Sequence, residues 1–404
     1  MRILFLTHSF NSLTQRLYCE LTQLGHQISI EFDITDSVSE EAVALFKPDL
    51  ILAPFLKRAI PESIWSRHLC LVVHPGIVGD RGPSALDWAI QNGEPEWGVT
   101  VLQAEAEMDA GPVWASANFP LRQAKKSSIY RNETTEAAVR AVTVAVNRVK
   151  DGNFQPERVQ GQAHALMKQT NRAINWQTES SAAILAKLNA ADGFPGIADQ
   201  LFGQPCHLFD AWPEAILKGT PGSLLGYRQT AICRATADGA LWIGHVKKSS
   251  GIKLPATQVF PEALALPELP LADYRKSAHA TWQDIAYEEV AGVGFLSFEF
   301  YNGAMSTRQC QRLTAAFQWA SSRPTRVIVL RGGRDFWSNG VHLNTIEAAE
   351  SPSDESWANI NAIDDLAEAI LRCETQLTVA AVGGNTGAGG CFLARAADQV
   401  WVRD

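Results

Sequence analysis

Short apolar runs alternate with stretches of helical spacing through the first 120 residues of the chain. The apolar runs occupy residues 2–7, 27–32, 49–53 and 70–74. Leucines at 13, 17, 21 and 24 follow the first run at a spacing typical of a helix, and Gly25 is expected to end that helix. Strands that alternate with helices favour a doubly wound, mostly parallel sheet, whose ligands bind beyond the carboxyl ends of the strands. The alternation therefore predicts an α/β fold with His74 at a ligand-binding edge.

Two changes of pattern divide the rest of the chain. Residues 151–165 are polar, and a helical stretch near 182–190 then precedes apolar runs that predict strands at 231–235 and 240–246. Prolines at 255, 261, 267 and 270 favour an extended linker, after which strand and helix signals alternate again. We therefore expect an N-terminal α/β domain at 1–155, a small β-rich domain at 156–255, a linker at 256–284 and a third, α/β domain at 285–404.

Composition and charge exclude several classes of protein. The 404 residues carry a formal net charge of −8, which argues against nonspecific binding to nucleic acid. No run approaches the roughly 18 apolar residues that a membrane-spanning helix needs, and the run after Met1 is too short for a signal peptide. The seven cysteines are widely spread and form no CxxC pair, which is typical of a reducing compartment. We expect a cytoplasmic protein without a metal, nucleic-acid or membrane site.

The loop after the fourth predicted strand carries the first candidate residues. His74 ends that strand, and a glycine-rich loop follows it through Gly82. Asp109 lies in a later loop. A histidine and a carboxylate that converge on one cleft can take a proton from a nucleophile or stabilise an oxyanion. From the spacing alone, the pair could also be a hydrogen-bonded loop histidine and a turn-capping aspartate.

The motifs of this region resemble those of the folate-dependent formyltransferases, which include methionyl-tRNA formyltransferase and the sugar formyltransferases. The family pattern is Asn-x-His-x-Ser, a loop that ends in Arg-Gly, then Gly-Val-Thr and Asp-x-Gly-Pro. The chain matches it at His74, Arg81-Gly82, Gly98-Val99-Thr100 and Asp109-x-Gly111-Pro112. The resemblance covers about residues 1–150, and residues 165–250 resemble the family's small C-terminal domain. It implies 10-formyl-tetrahydrofolate as formyl donor, His74 and Asp109 as catalytic residues, and folate contacts from Arg81, Gly82, Val99 and Thr100.

One position departs from the formyltransferase pattern. The family asparagine two residues before the histidine is Val72 here. In the family, this asparagine helps to stabilise the oxyanion of the formyl-transfer intermediate, and the loss of one such donor typically costs about 3 kcal/mol in the barrier. A thiol acceptor would need less help, because thiolates are strong nucleophiles. The departure therefore favours either a slow transferase or one that acts on a thiol.

Two glycine-rich turns follow apolar runs in the C-terminal region, within residues 331–343 and 381–392. Such turns expose backbone N–H groups that stabilise anions, although tight packing between a strand and a helix would use the same glycines. Together they resemble the crotonase (enoyl-CoA hydratase/isomerase) superfamily patterns Phe-x-x-Gly-x-Asp-Leu, here with one extra residue, and Ala-Val-x-Gly-x-x-x-Gly-Gly-Gly-Cys-Glu. The resemblance implies a CoA thioester whose oxygen is held by the N–H groups of Asn339 and Gly389, with Gly340, Gly390 and Phe392 beside it.

The second resemblance also has departures. The hydratase glutamate is Phe392 here, and the usual aspartate after the first turn is His342. A hydratase needs carboxylates to move protons onto and off water, so we do not expect hydration of enoyl-CoA. A dry pocket around Phe392 would instead suppress hydrolysis of a bound thioester. A complete crotonase fold is larger than residues 285–404. We therefore expect a partial crotonase-like domain, a native protein that continues past Asp404, and impaired chemistry at this site in the present chain.

The combination of the two domains resembles the hydrogenase maturation proteins of the HypX (HoxX) family, and residues 73–76 and 79–90 match that family in particular. This resemblance implies synthesis of carbon monoxide for the iron of nickel–iron hydrogenase. Formyl transfer to coenzyme A would give formyl-CoA, which would then break down to CO and CoA. The expected partners are folate, CoA and a hydrogenase large subunit or its maturation proteins.

Two alternatives remain open from the sequence. One is a formyltransferase for another acceptor, such as an amino sugar, with the C-terminal half as a scaffold. That enzyme should not depend on CoA. The other is a non-catalytic chaperone that binds CoA or a hydrogenase subunit, which should bind its ligand without turnover.

Overall fold

The structure, a computed structural model, describes residues 1–271 and 279–403. Its contacts divide the chain into two units. Unit 1 contains Met1–Arg172 and Asn189–Phe194, and unit 2 contains Ala173–Leu188 and Pro195–Asp404.

Unit 1 is built on strands that alternate with helices. Its strands are β1 (Arg2–Thr7), β2 (Gln27–Phe32), β3 (Leu50–Ala53), β4 (Cys70–His74), β5 (Asp80–Arg81), β6 (Glu96–Gln103), β7 (Val113–Pro120) and β8 (Gln162–Ala163). Its helices are α1 (Ser12–Gln23), α2 (Asp36–Phe46), α3 (Glu62–Trp65), α4 (Ala85–Asn92), α5 (Lys126–Ile129), α6 (Thr135–Asp151) and α7 (Gln169–Arg172), with a π-helical turn at Tyr130–Thr134.

The main sheet of unit 1 has the strand order β2-β1-β3-β4-β6-β7. The first four strands are parallel, and β6 and β7 continue the sheet antiparallel. Strand β1 shows why both faces are covered: Ile3 and Phe5 pack into one hydrophobic core, and Leu4 and Leu6 pack into another. The predicted doubly wound α/β fold is confirmed, with the antiparallel strands at one edge.

Helix α1 follows the sequence pattern closely. Leu13, Leu17 and Leu21 are buried at successive turns of its inner face. The Asn11 side chain caps its first turn by accepting a hydrogen bond from the Thr14 N–H. The chain leaves the helix through Gly25, whose φ of 82° is a conformation that glycine adopts without strain.

Unit 2 contains an antiparallel sheet and a mainly parallel one. Its strands are β9 (Ile197–Leu201), β10 (Gln204–Glu214), β11 (Leu224–Arg228), β12 (Ala231–Ala235), β13 (Ala240–Lys248), β14 (Leu254–Pro255), β15 (Ile285–Val290), β16 (Val293–Phe298), β17 (Ala304–Met305), β18 (Val327–Arg331), β19 (Phe336–Ser338), β20 (Gly340–Val341), β21 (Leu377–Val382), β22 (Asn385–Thr386) and β23 (Gln399–Val402). The helices along the rest of the chain are α8 (Ser181–Ala191), α9 (Ala256–Val259), α10 (Thr307–Ser321), α11 (Leu343–Glu347), α12 (Pro352–Leu371) and α13 (Gly389–Arg395), with 3-10 turns at Pro261–Ala265 and Tyr301–Gly303.

The two larger sheets of unit 2 have separate cores. The antiparallel sheet has the order β11-β12-β13-β10-β9, and Trp242 lies in its core. The other sheet has the order β15-β16-β18-β21-β23, with all pairs parallel except β15–β16. Helices α10 and α12 cover it through residues such as Phe317 and Leu366. This second sheet begins at Ile285, the start of the predicted third domain, but the contacts group both sheets in one unit.

The proline-rich segment differs from the expected extended linker. Residues 256–265 form α9 and a 3-10 turn, in which Phe260 and Ala263 are buried. Pro261 is compatible with this turn because it occupies the first helical position, where its missing N–H costs nothing. The remainder of the predicted linker includes residues 272–278, which lie outside the described residues.

The contacts also locate the end of unit 1 later than the expected boundary at residue 155. Strand β8 pairs with β5, and Arg172 donates to the buried carboxylate of Asp87. Residues 156–172 therefore belong to unit 1, because strand pairing and an ion pair hold them there.

Within residues 1–271 and 279–403, no helix combines the length and apolar character needed to cross a membrane. The same residues contain no group of three His, Cys, Asp or Glu side chains arranged to hold a metal ion.

Candidate active site

His74 lies at the carboxyl end of β4, where it is almost fully buried. The loop after it is fastened to β6: the Thr100 hydroxyl donates to the Gly76 carbonyl at 2.8 Å, and the Trp97 indole donates to the Pro75 carbonyl at 2.9 Å. Thr100 is therefore a buried support of the loop, and its predicted contact with folate is not supported.

Two carboxylates face the His74 imidazole. Asp80 Oδ2 lies 2.7 Å from Nε2, and Asp109 Oδ2 lies 3.6 Å from Nδ1. The sequence predicted that Asp109 lies near His74, but it did not predict the contact with Asp80. Asp109 has a φ of 55°, a left-handed conformation that aspartate tolerates better than most residues, and its carboxylate accepts the Gly82 N–H at 3.1 Å.

A cavity of about 540 Å³ opens beside this cluster, within unit 1. It lies next to the carboxyl end of β4, as expected for a parallel sheet. Its lining includes Val72, His74, Gly82, Val99, Leu102, Met108, Asp109, Tyr130 and Thr134. The volume is in the range of small-molecule sites, and apolar side chains with a few polar groups are typical of them.

Arg81 does not line this cavity. Its guanidinium donates to the Val159 carbonyl at 2.8 Å and lies 3.4 Å from a Glu107 carboxylate oxygen. Of the four predicted folate contacts, Gly82 and Val99 therefore lie at the cavity, whereas Arg81 and Thr100 hold the surrounding loops.

The π-helical turn adds two polar side chains that the sequence did not reveal. The Tyr130 hydroxyl accepts a hydrogen bond from the Asn11 amide, and burial raises the pKa of Tyr130 to about 12. The Thr134 hydroxyl is buried at the cavity and has no hydrogen-bond partner among the described residues. A π-helical turn is a frequent feature of functional sites, but no sequence signal predicts it.

The two glycine-rich turns of unit 2 are in contact. A Cβ on Gly340 would lie 2.8 Å from the Gly389 nitrogen, and one on Gly390 would lie 2.2 Å from the Ser338 carbonyl oxygen. The Gly387 N–H also donates to Ser338. The predicted convergence of the turns is therefore present, and it depends on glycine at both positions.

The two backbone N–H groups predicted to bind an oxyanion differ in whether they already have an acceptor. The Gly389 N–H begins α13 and has no acceptor among the described residues, so it can bind a ligand oxygen. The Asn339 N–H donates to the Gly303 carbonyl at 2.7 Å, and the Asn339 side chain donates to the Asn302 carbonyl. The Asn339 N–H is already engaged, and its predicted role is not supported.

Phe392 does not line a dry pocket, because its side chain is 77% exposed on α13. His342, in contrast, is buried and accepts the Thr345 N–H at Nδ1, which caps α11. Burial and the nearby His245 lower the pKa of His342 to about 4. His342 is therefore a neutral helix cap at pH 7, and it does not replace the carboxylate of the hydratases.

Comparison with known families agrees with this architecture. Residues 31–146 match the formyl transferase family, residues 166–263 match its C-terminal domain, and residues 288–404 match the enoyl-CoA hydratase/isomerase family. The fold and the two sites thus define an enzyme in which a formyltransferase is joined to a crotonase-like domain. The chain belongs to the HypX/HoxX family of hydrogenase maturation factors.

The similarity to two HypX/HoxX proteins extends over the whole chain, and that to a methionyl-tRNA formyltransferase extends over part of it. The hydrogenase maturation factor HoxX of Bradyrhizobium diazoefficiens is 52% identical over 412 residues, which cover 100% of this chain and 71% of HoxX. The crystal structure of HypX from Aquifex aeolicus in complex with tetrahydrofolic acid has a TM-score of 0.96 and 50% identity, and covers 100% of this chain and 72% of that one. Methionyl-tRNA formyltransferase of Dechloromonas aromatica is 25% identical over 241 residues, 58% of this chain and 78% of that enzyme.

Proposed function

We propose that the chain transfers the formyl group of 10-formyl-tetrahydrofolate to the thiol of CoA, and that formyl-CoA then breaks down to CO and CoA. The CO would become a ligand of the hydrogenase iron. The observation that carries this proposal is the histidine between two carboxylates, His74, at the wall of the 540 Å³ cavity. Such a group is suited to moving a proton during acyl transfer.

The folate would occupy the cavity of unit 1. HypX from Aquifex aeolicus, whose structure was solved in complex with tetrahydrofolic acid, is similar to all of this chain. The apolar lining offers the faces against which a pterin ring packs, and the unpaired Thr134 hydroxyl offers a hydrogen bond to it. Lys57, also in the lining, offers a positive charge for the carboxylates of the glutamate tail.

In the first step, the CoA sulfur attacks the formyl carbon and the thiol proton passes to His74. The C–N10 bond then breaks, and His74 returns the proton to N10, which yields tetrahydrofolate and formyl-CoA. Asp109 would stabilise the protonated imidazole, since its carboxylate lies beside Nδ1. The apolar Val72 offers no hydrogen bond to the oxyanion, and a thiol is the acceptor class that needs this help least.

The second step would use the two turns of unit 2. The Gly389 N–H is suited to bind the formyl oxygen, because it has no other acceptor among the described residues. Breakdown to CO moves the formyl proton from carbon to sulfur and breaks the C–S bond, so no water is consumed. The exposed Phe392 in place of the hydratase glutamate fits a reaction that does not activate water.

The site of action would be the cytoplasm, in contact with a hydrogenase large subunit or its maturation proteins. The seven cysteines are free thiols, as in a reducing compartment. The hydrogenase partner follows from the role of the HoxX relative.

The test supplies the chain with 10-formyl-tetrahydrofolate and CoA and measures formyl-CoA by mass spectrometry and CO by its binding to a haem reporter. The proposal expects formyl-CoA, a slower formation of CO, and a strict requirement for CoA. Formate without CO would overturn the second step. Full production of formyl-CoA by His74→Ala would overturn the first, with the half-buried His68→Ala as the matched control.

The same assay separates the alternatives. Formylation of an amino sugar without CoA would indicate a transferase for another acceptor. Binding of folate and CoA without turnover of either would indicate a chaperone.

A further inference from the structure

We propose that Asp80 is the positioning residue that fixes the orientation and tautomer of His74. Its hydrogen bond to His74 takes the place of the serine at position 76 in the pattern of the other folate-dependent formyltransferases. The proposal rests on the formyl transfer proposed above. It concerns a residue that the formyltransferase pattern does not contain.

The hydrogen bond between Asp80 and His74 assigns the proton on the imidazole. An ionised carboxylate only accepts hydrogen bonds, so the 2.7 Å contact requires that Nε2 of His74 carries the hydrogen. In the neutral ring, Nδ1 then carries the lone pair. Asp80 therefore leaves Nδ1 as the atom that can take the thiol proton.

The second carboxylate is arranged to act after that proton has moved. Asp109 Oδ2 lies 3.6 Å from Nδ1, beyond ordinary hydrogen-bond distance, and it accepts the Gly82 N–H. Once Nδ1 is protonated, the imidazolium lies between two negative charges, one at each nitrogen. Asp80 therefore orients the base before the transfer, and Asp109 stabilises the charged ring during it.

Gly76 shows that the local backbone is built for this contact. A Cβ at residue 76 would lie 2.4 Å from Asp80 Oδ2 and 2.4 Å from His74 Nε2, closer than real Cβ atoms approach such neighbours. The formyltransferase pattern Asn-x-His-x-Ser has serine at this position. The serine of the pattern and the Asp80–His74 hydrogen bond are thus mutually exclusive in this backbone.

The placement of Asp80 is set by two further interactions. Its N–H donates to the Ile77 carbonyl in a tight turn that directs the side chain back to His74. Its other oxygen, Oδ1, is buried 3.4 Å from Nε2 of His164. His164 is held by the pairing of β8 with β5 and by stacking on Trp88. Interactions at its backbone N–H and at its carboxylate therefore both hold Asp80 in place, as a positioning residue requires.

The experiment compares four variants of the full chain: Asp80→Ala, Gly76→Ser, the double variant, and Asp87→Asn. Asp87 is a matched control, because it is another buried carboxylate of unit 1 in an ion pair, with Arg172 and Lys126. The kinetic measurement is formyl-CoA formation at varied folate and CoA. Proton and nitrogen NMR of histidine-labelled protein, with the His74 signal identified by its loss in His74→Gln, reports the Nε2 proton directly.

We expect Asp80→Ala and Gly76→Ser each to lower kcat about 100-fold, the range of general acid–base catalysis, with KM values nearly unchanged. The double variant should be no worse than either single one, since both remove the same contact. The parent should show a downfield, slowly exchanging Nε2 proton on His74 that both variants lose and Asp87→Asn keeps.

Two outcomes would overturn the inference. One is a parent without the protected Nε2 proton. The other is a parent that forms formyl-CoA while both folded variants keep its kcat. Absence of formyl-CoA from the parent, with the Nε2 proton present and lost in both variants, would instead overturn the proposed function and leave the assignment of the tautomer intact.

Discussion

Gly340 lies directly against Gly389, so that a single added carbon on the first would lie 2.8 Å from the backbone nitrogen of the second. The contact joins two turns that are far apart in sequence. The Gly389 N–H has no acceptor among the described residues.

Gly340→Ala should disturb this contact and slow the breakdown of formyl-CoA. We expect about a 100-fold loss of CO formation, because small displacements of a positioned donor have effects of that size. The change should also cost about 1–2 kcal/mol of stability, since Gly340 has a φ of 77°. Gly292→Ala is the matched control: its φ is 80°, but no atom lies within 4 Å of the added carbon. Equal CO formation by the two variants would contradict a role for the contact.

His342 should make the protein less stable in mild acid. The pKa of His342 is about 4 in the folded protein and about 6.5 for an ordinary histidine, so protonation favours the unfolded chain. The contribution is fully present above pH 6.5 and is lost as the pH falls toward 4, by roughly 3 kcal/mol in total. Urea unfolding between pH 7.5 and 3.5 measures it. His342→Asn, which can still cap α11, should flatten this dependence, whereas the exposed His8→Asn should not.

Asp109 should show separate effects of charge and backbone conformation. Asp109→Asn tolerates the left-handed φ of 55°, so its free energy of unfolding should change by less than about 0.5 kcal/mol. Its rate of formyl-CoA formation should nevertheless fall about 100-fold. Asp109→Ala should lose activity similarly and about 1–2 kcal/mol of stability as well. An Asp109→Asn variant with the parent rate would rule out the proposed charge stabilisation.

Thr134→Val should stabilise the unliganded protein and weaken folate binding. The Thr134 hydroxyl is buried without a partner among the described residues, and an apolar group of the same shape removes that cost, a gain of about 1 kcal/mol. If the hydroxyl binds the pterin, the affinity for tetrahydrofolate should fall about tenfold, as measured by fluorescence titration. Thr134→Ser keeps the hydroxyl and should keep the affinity. Unchanged binding by Thr134→Val would place the pterin elsewhere.

Local periodicity was sufficient to predict the elements that carry the first site. The spacing of Leu13, Leu17 and Leu21 predicted α1, and the apolar run that ends in His74 predicted β4. The carboxyl-end rule for parallel strands then located the cavity, and the formyltransferase pattern paired His74 with Asp109.

The residues that were missed or misplaced depend on turn geometry and on the pairing of separate segments, neither of which follows from hydrophobic periodicity. Asp80 reaches His74 only because a turn at Ile77 reverses the chain. The Asn339 N–H is engaged because the 3-10 turn at Tyr301–Gly303 lies beside it. Thr100 follows Val99 on β6, and only the pairing with β4 decides that its hydroxyl supports the Gly76 loop. No periodicity in the sequence encodes these relationships.

The short pairing of β8 with β5 has a consequence for how the protein is made. Residues 162–164 bring His164 to Asp80, yet they leave the ribosome long after His74 and Asp80 have been synthesised. The loop between them must close before the contact forms, and such closure adds entropy cost to folding. Asp80 therefore lacks its contact with His164 until residue 164 has been synthesised. The contacts around His74 are completed only after the whole of the main sheet of unit 1 has emerged.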